Sequence, residues 1–399
     1  MPTPNHRYWF VLGRESLIAA AEIDAVLGFP DSASGSRFTI GKNYSLSILK
    51  TDANFDSKKL INRLGGTIKI AEEIADNVGE KEMKEKIFSE LRMVEGKINF
   101  GLSFYNTEII LKEIKNLGLE IKKALKNEGR SVRYVENKEL TLSSVAVEKN
   151  GLTARGREFL VERKDNLYSI AKTEAVQPFE NFSDRDFGRP GRDDLSGMLP
   201  PKLAMILINL AQTPLNSVLL DPFCGSGTIL SEAMLLEYKN LIGSDTSEKA
   251  VENTKINIDW VAKKFHPELP DIKIFKNEIK ELSKKLHPNS IDAIVTEPYL
   301  GKPLRGQETK EELVKQISEL KKLYLIAFVQ FKKILKSDGK VVFLIPRFKF
   351  KNEWLIIDCE NEIKKIGFKI LPFFENKMPL LYARPDQRVT REIWRFEKN

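Results

Sequence analysis

"LLDPFCGSGT", residues 219–228, ends an apolar run with an acidic residue and a proline, then places two glycines around one serine. An apolar run bounded by turn residues reads as a buried strand, and the glycines remove side chains where backbone approaches a ligand. A helix is expected from Thr228, with first-turn N–H groups open to an anion. Outward from this loop the pattern repeats. Strands at "SVLLD" (217–221), "LIGSD" (241–245), "IKIFKNE" (272–278), "IDAIVTEP" (291–298) and "KVVFLIP" (340–346) alternate with helices at 202–211, 228–238, 247–265, 311–335 and 353–366. Strands alternating with long helices predict an α/β fold with a parallel, doubly wound sheet. "FKILPFF" (368–374) and "REIWRF" (391–396) have no helix between them, which predicts an antiparallel pair at the sheet edge.

In such a sheet, ligands sit beyond the carboxyl ends of the strands where the strand order reverses. Asp245 ends the next strand, about twenty residues on, where a carboxylate accepts both hydroxyls of a ribose. A nucleoside carrying an anion is implied. Leu230 stands where the dinucleotide fingerprint has its third Gly or Ala, which disfavours NAD. Asn277 and Glu278 end the third strand where an adenine amine could be held. "VTEPYLG" (295–301) ends the fourth with an acceptor, a proline and an aromatic.

At 399 residues and 42% hydrophobic content the chain can fill two or three cores. Its longest apolar runs, such as "LYLIAFV" (323–329), fall far short of the roughly 20 residues that span a bilayer. With no signal-peptide pattern at the start, a cytoplasmic location is expected. Two cysteines and three scattered histidines form no metal or disulfide framework, so no metal site is expected. The net charge of +8 favours a polyanionic partner. Between Lys122 and Lys164 stand eleven Lys or Arg against six Glu and no Asp. Within and beyond that window Lys122, Lys126, Arg130, Arg133, Arg155, Lys302 and Arg305 are candidate contacts to such a polyanion, the last two following the acidic-Pro-aromatic loop. Arg185, Asp186, Arg189 and Arg192 fit either phosphate contacts or a salt-bridged linker.

The first 70 residues alternate as βαββαβ, the pattern of a ferredoxin-like unit. The charged tract 79–97 reads as an exposed helix or loop, and a second small α+β unit follows. The expected division is 1–75, 76–172, a linker at 173–198 and a catalytic domain at 199–399.

Asp-Pro-Phe-x-Gly-x-Gly-Thr followed by an acidic-Pro-aromatic loop resembles S-adenosylmethionine-dependent amino-methyltransferases. In order along nearly the whole chain, "YWFVLGRESLIAAAEIDAVLG", "LGGTIKI", "SVRYV…LSSVAVEKNGL", "RDFGRPGRDDLSGMLPPKLA" and "LLDPFCGSGTILSEA" resemble the THUMP-domain tRNA guanosine N2-methyltransferases, which act on guanosine 10. The resemblance implies a Rossmann-like class I methyltransferase sheet at the C-terminus, preceded by α+β ferredoxin-like and THUMP domains that hold tRNA. It implies S-adenosylmethionine as cofactor, held by Asp221, Phe223, Gly225, Gly227, Thr228, Asp245, Thr246 and Glu278. Glu297 and the Pro298 carbonyl would accept from the target amine, and Tyr299 would stack on an extruded base. A monomer is expected, with room for an activating subunit as in eukaryotic relatives. The family's Asp-Pro-Pro-Tyr-Gly is Glu-Pro-Tyr-Leu-Gly here. The extra methylene moves the acceptor oxygens by roughly 1.5 Å, and ~1 Å of misplacement can cost on the order of 100-fold in rate. Backbone compensation, a different substrate (DNA or ribosomal RNA) and a non-catalytic RNA-binding relative all remain open on sequence alone.

Overall fold

The computed structural model describes residues 6–27, 38–40, 46–51, 56–192, 198–373, 376–383 and 387–399. The chain divides into two compact units, Met1–Ala20 with Phe29–Glu180, and Ala21–Gly28 with Asn181–Asn399.

The first unit contains β1 (His6–Leu12), α1 (Ser16–Leu27, whose second half clusters with the other unit), β2 (Phe38–Ile40), β3 (Leu46–Thr51), α2 (Ser57–Arg63), β4 (Thr67–Val78), α3 (Glu80–Arg92), β5 (Ile98–Tyr105), α4 (Leu111–Asn127), β6 (Val132–Tyr134), α5 (Ser144–Lys149), β7 (Gly156–Lys164) and β8 (Leu167–Val176). The strands form one sheet ordered β2-β3-β1-β4-β8-β7-β5-β6. Its first four strands have the order of a split βαβ fold, and the sheet runs on without interruption into the rest. The expected division at residue 75 falls inside β4.

The charged tract at 79–97 is α3, and it is not merely exposed: Met83, Ile87 and Leu91, spaced at i, i+4 and i+8, are buried in the core. Four-residue spacing puts all three on one helix face while the charges take the other. Residues 107–129 supply the single helix α4, packed so closely that a Cβ on Gly118 would lie 2.2 Å from the Tyr134 ring.

One polar cluster lies inside this unit. Lys69 donates to Glu158 at 2.5 Å and to the Leu142 carbonyl at 2.8 Å, while Ser103 and Thr173 donate to the same carboxylate at 2.6 and 2.8 Å. Lys69 and Glu158 are 1% and 0% exposed, so the two form a buried, hydrogen-bonded ion pair.

The second unit contains α6 (Phe179–Phe187), α7 (Pro201–Leu210), β9 (Val218–Asp221), α8 (Thr228–Leu235), β10 (Asn240–Asp245), α9 (Glu248–Phe265), β11 (Asp271–Lys276), α10 (Leu282–Lys285), β12 (Ile291–Thr296), α11 (Lys310–Ile334), β13 (Leu335–Phe350), β14 (Glu353–Leu355), α12 (Glu360–Ile366), β15 (Phe368–Ile370), β16 (Leu380–Tyr382) and β17 (Val389–Lys398). The sheet order is β11-β10-β9-β12-β13-β17-β15, parallel from β11 through β13. The order reverses between β9 and β12, which opens the ligand crevice at their carboxyl ends. Behind them α11 buries Phe328, whose ring meets Phe331, Phe343, Phe368 and Phe396 at 5.0–5.4 Å.

The antiparallel pair expected at the sheet edge is β15 with β17: β17 inserts antiparallel between β13 and β15, and the three-residue β15 is the outermost strand. One sequence expectation is corrected here. The helix expected over 353–366 begins only at Glu360, because Glu353–Leu355 turns back to pair with Phe348–Phe350 around Lys351, which has φ +51°. Among the described residues no helix is long and apolar enough to cross a membrane, and no group of His, Cys, Asp or Glu is placed to hold a metal ion.

Replacing Glu158 by Ala leaves Lys69 buried without its counter-charge, and should lower unfolding free energy by about 3–5 kcal/mol. The Lys69→Met, Glu158→Leu double variant should recover most of that loss in urea denaturation, since neither charge then needs a partner.

Candidate active site

Asp221, Asp245 and Thr296 end the adjacent strands β9, β10 and β12 on the same rim. Asp221 is buried, and its Oδ1 accepts from Thr296 Oγ1 at 2.6 Å and from the Phe223 N–H at 3.2 Å. Burial pushes its carboxyl up to about 7, with repulsion from Asp245 and Glu297 adding to the rise and the two hydrogen bonds opposing it.

The loop that follows is braced from several sides. Cys224 N–H bonds to the Ser244 carbonyl at 2.9 Å, and Gly225 N–H to Asp245 Oδ2 at 3.0 Å. From α9, Thr254 donates to the Gly225 carbonyl and Asn257 to the Ser226 carbonyl, each at 2.8 Å. Gly225 and Gly227 have φ of +53° and +81°, a region that L side chains disfavour. A Cβ on Gly227 would meet Thr254 Cγ2 at 2.7 Å, whereas one on Gly225 would meet nothing within 4 Å. Gly227 serves packing, and Gly225 faces open space that a ligand can enter.

The loop leads into α8, whose first N–H with an acceptor one turn back is Ser231, on the Gly227 carbonyl at 2.9 Å. The N–H groups of Thr228, Ile229 and Leu230 are the open first turn. Asp245 Oδ1 also accepts from Ser247 N–H at 2.9 Å, so each carboxylate oxygen carries one N–H and retains a lone pair for a hydroxyl.

The other wall is the loop after β12. Glu297 Oε1 accepts from Arg391 Nε of β17 at 2.5 Å, Pro298 is buried, and Tyr299 is 53% exposed. The buried Tyr324 hydroxyl holds the Tyr299 carbonyl at 2.8 Å, which fixes the backbone beneath the exposed ring. Among the described residues nothing donates to the Pro298 carbonyl. Gly301, at φ +95°, turns the chain so tightly against Gln316 that a Cβ would lie 2.6 Å from its amide nitrogen.

The structure therefore gathers Asp221, Gly225, Gly227 and Asp245 in one braced loop system, with Glu297, Pro298 and Tyr299 on the adjacent strand end. Phe223 is half-buried and packs on the core. The Thr228 hydroxyl accepts from the buried Arg189, Thr246 is exposed, and Glu278 is an exposed partner of Lys280 at 2.7 Å. Asn277 donates to the Glu278 carbonyl at 2.7 Å. Cys224 is buried and its thiol is pushed up by that burial, the state of a filler rather than a nucleophile.

Lys122 is half-buried, while Lys126, Arg133, Arg155, Lys302 and Arg305 are exposed. Arg130 spends its guanidinium on the carbonyls of Arg92 and Val94 at the end of α3, so it is a structural residue. Arg185 and Arg189 follow the salt-bridged alternative: Arg185 is buried on Glu232 at 2.7 Å and over the Phe182 ring.

Sequence reasoning missed Thr296, Asn257, Tyr324 and Arg391. Arg391 offered no local signal, since its strand also carries Arg395, Glu397 and Lys398. A separate cavity of about 400 Å³, lined by Ser217, Asp292, Lys336 and Lys340 among others, lies by the amino ends of β9 and β12, away from these loops.

A family model described as RMKL-like, methyltransferase domain, matches residues 189–349. A DNA methylase model matches 50–256, which takes in the glycine loop and Asp245 but ends before Glu297. Over 147 residues the chain is 36% identical to a Methanothermococcus thermolithotrophicus protein named "Probable tRNA (guanine(10)-N2)-dimethyltransferase", covering 37% of this chain and 80% of that one. The chain belongs to the tRNA (guanine(10)-N2)-dimethyltransferase family. A second member, from Methanocaldococcus jannaschii, is 30% identical over 172 residues, covering 41% of this chain and 44% of the relative. The crystal structure of TrmN from Thermus thermophilus aligns over 99% of this chain and 100% of its own with a TM-score of 0.55. At 14% identity that likeness is one of fold, a class I methyltransferase fold.

The two loop glycines separate packing from binding. Gly227→Ala should cost about 1–3 kcal/mol of stability, read by urea denaturation. Gly225→Ala should cost only about 1–2 kcal/mol, yet lower the affinity for S-adenosylmethionine in calorimetry by filling the open space.

Proposed function

We propose that this chain transfers methyl groups from S-adenosylmethionine to the exocyclic N2 of guanosine 10 in tRNA, adding two in succession as its relatives' names state for them. The observation that carries the reading is the pairing of two rims at the point where the strand order reverses, a glycine loop on β9 beside an acidic-Pro-aromatic loop on β12.

The residues present fit the donor. Asp245 offers lone pairs to a ribose diol, Gly225 leaves space above the loop, and the Asp221 carboxyl lies beneath as a counter-charge for a cation. When bound, the donor supplies a methyl group on a sulfonium: its C–S bond breaks as the carbon–nitrogen bond forms, and S-adenosylhomocysteine leaves.

The chain's own task is to make a poor nucleophile react. The N2 lone pair of guanine is delocalised into the ring, and acceptors aimed at the N2 hydrogens favour the pyramidal nitrogen that can attack. Glu297 Oε2 and the Pro298 carbonyl take those hydrogens, Tyr299 stacks on the extruded base, and one N2 proton passes to Glu297 or solvent as each new bond forms. Lys302 and Arg305 meet neighbouring phosphate or sugar. In the first unit Lys122, Lys126, Arg133 and Arg155 supply cations to the RNA, and the 76–172 segment is read as its THUMP module. A tRNA substrate supports a cytoplasmic location.

Incubating the chain with unmodified tRNA and donor, then analysing nucleosides by mass spectrometry, tests this directly. The expected products are N2-methyl- and then N2,N2-dimethylguanosine, with none in a guanosine-10 variant and none in duplex DNA. Methyladenosine, or product in DNA alone, would refute the assignment. Glu297→Ala should lower turnover by at least about 100-fold with donor affinity within a few-fold.

Asp221 gives the site a pH signature. Its carboxyl sits near 7 in the folded chain, above its ordinary value, so its own contribution to the stability of the donor-free protein is full below its ordinary carboxylate range and is lost as pH rises through about 7. A cation above it favours the ionised form. Affinity for S-adenosylmethionine should therefore increase from about pH 6 to about pH 8, with proton release on binding, and Asp221→Asn should flatten both in calorimetry.

A further inference from the structure

We propose that Arg391 is a positioning residue that sets the acceptor carboxylate of Glu297 where a shorter acid would otherwise be needed; this rests on the methyl-transfer reading above. Glu297 has one more methylene, and one more rotatable bond, than the aspartate of the resembling motif. Unrestrained, its oxygens would sample several rotamers spread over more than an ångström.

The structure restrains them from another strand. Arg391 lies 94 residues away in sequence, in the interior of the sheet, opposite Pro346 of β13 on one side and Tyr382 of β16 on the other. Strands on both sides fix its backbone, so the guanidinium is delivered from a rigid base. Its Nε reaches Glu297 Oε1 at 2.5 Å, and the two side chains are only 16% and 17% exposed. Among the described residues the guanidinium's side-chain partner is Glu297. One oxygen is thereby tethered, which leaves Oε2 as the acceptor for a substrate amine.

Two further observations separate this pair from ordinary surface pairing. The next residue, Glu392, is buried and is satisfied by Arg347 and by Trp394 Nε1 at 2.9 Å, so β17 already has a structural ion pair and Arg391 does not supply it. The Arg391 charge also stands where negative charge accumulates, since Glu297 and Asp245 both act on Asp221.

The test uses the full-length chain with tRNA and donor, comparing Arg391→Gln, Glu297→Gln and the double variant. For Arg391→Gln, kcat should drop about 10- to 100-fold, while KM for tRNA and Kd for the donor stay within about threefold. The double variant should be no slower than Glu297→Gln alone, because Arg391 acts only through Glu297. If Arg391→Gln does not fold, Arg391→Lys carries the same expectation, since it keeps the charge but loses the fixed fork.

Unchanged kcat, additive effects in the double variant, or a raised KM for tRNA with kcat unmoved would each overturn the role. Wild-type protein that makes no methylguanosine overturns the parent reading instead, so the two failures are distinguishable.

Discussion

The site depends on one hydrogen bond, Thr296 Oγ1 to Asp221 Oδ1 at 2.6 Å, between the strand ends where the sheet reverses its order. The strands β9 and β12 are adjacent, but their helices lead in different directions, so nothing in the sheet ladder alone determines how their loops face each other. The bond does. Because the same oxygen also takes the Phe223 N–H, the first turn of the glycine loop and the last residue before Glu297 are tied to one atom. The carboxyl is buried to allow this, and burial is what raises its pKa: the joint that positions the rims also stores a group ready to ionise against a cation.

A second set of contacts holds the glycine loop from behind, and it explains where the basic linker residues went. Arg185, buried, ends on the buried Glu232 of α8 and over the Phe182 ring, while Arg189 reaches Thr228 at the start of the same helix. Asn257 closes the arrangement by bonding the Gly191 N–H and carbonyl, each at 2.8 Å, as well as the Ser226 carbonyl. The segment 185–191 is thus packed against the donor loop instead of extending to solvent. Burying a guanidinium requires a matched acceptor, and Glu232, on the inner face of α8, provides it.

Local chemistry was legible and long-range pairing was not. The loops after β9, β10 and β12 could be read because their glycines, carboxylates and proline stand at fixed offsets from apolar runs. In the α3 tract, charge density masked a three-residue stripe, Met83, Ile87 and Leu91, which periodicity alone reveals. The β13–β14 turn looked helical because Glu353–Leu355 has no breaker before it; its strand character comes from Phe348–Phe350 across the turn. Placing β17 inside the sheet, and so bringing Arg391 to Glu297, depends on pairing with β13 over a separation of about fifty residues, which no local pattern encodes. Arg130 failed in the opposite sense: its charge was visible, but the two carbonyls that consume it belong to the end of another helix.

Magnitude decides what the Glu297–Arg391 pair is for. For an ion pair this far from solvent the desolvation of both charges largely offsets their attraction, so stability alone does not explain why an arginine should occupy an interior strand. Geometry is worth more: ~1 Å of displacement at a reacting centre can cost on the order of 100-fold in rate, or nearly 3 kcal/mol of barrier. A tether that removes the freedom of one added methylene therefore matters chiefly at the transition state. The rigidity of β17, held between β13 on one side and β15 and β16 on the other, makes that tether possible, so an edge-strand arginine on a mobile backbone could not take its place.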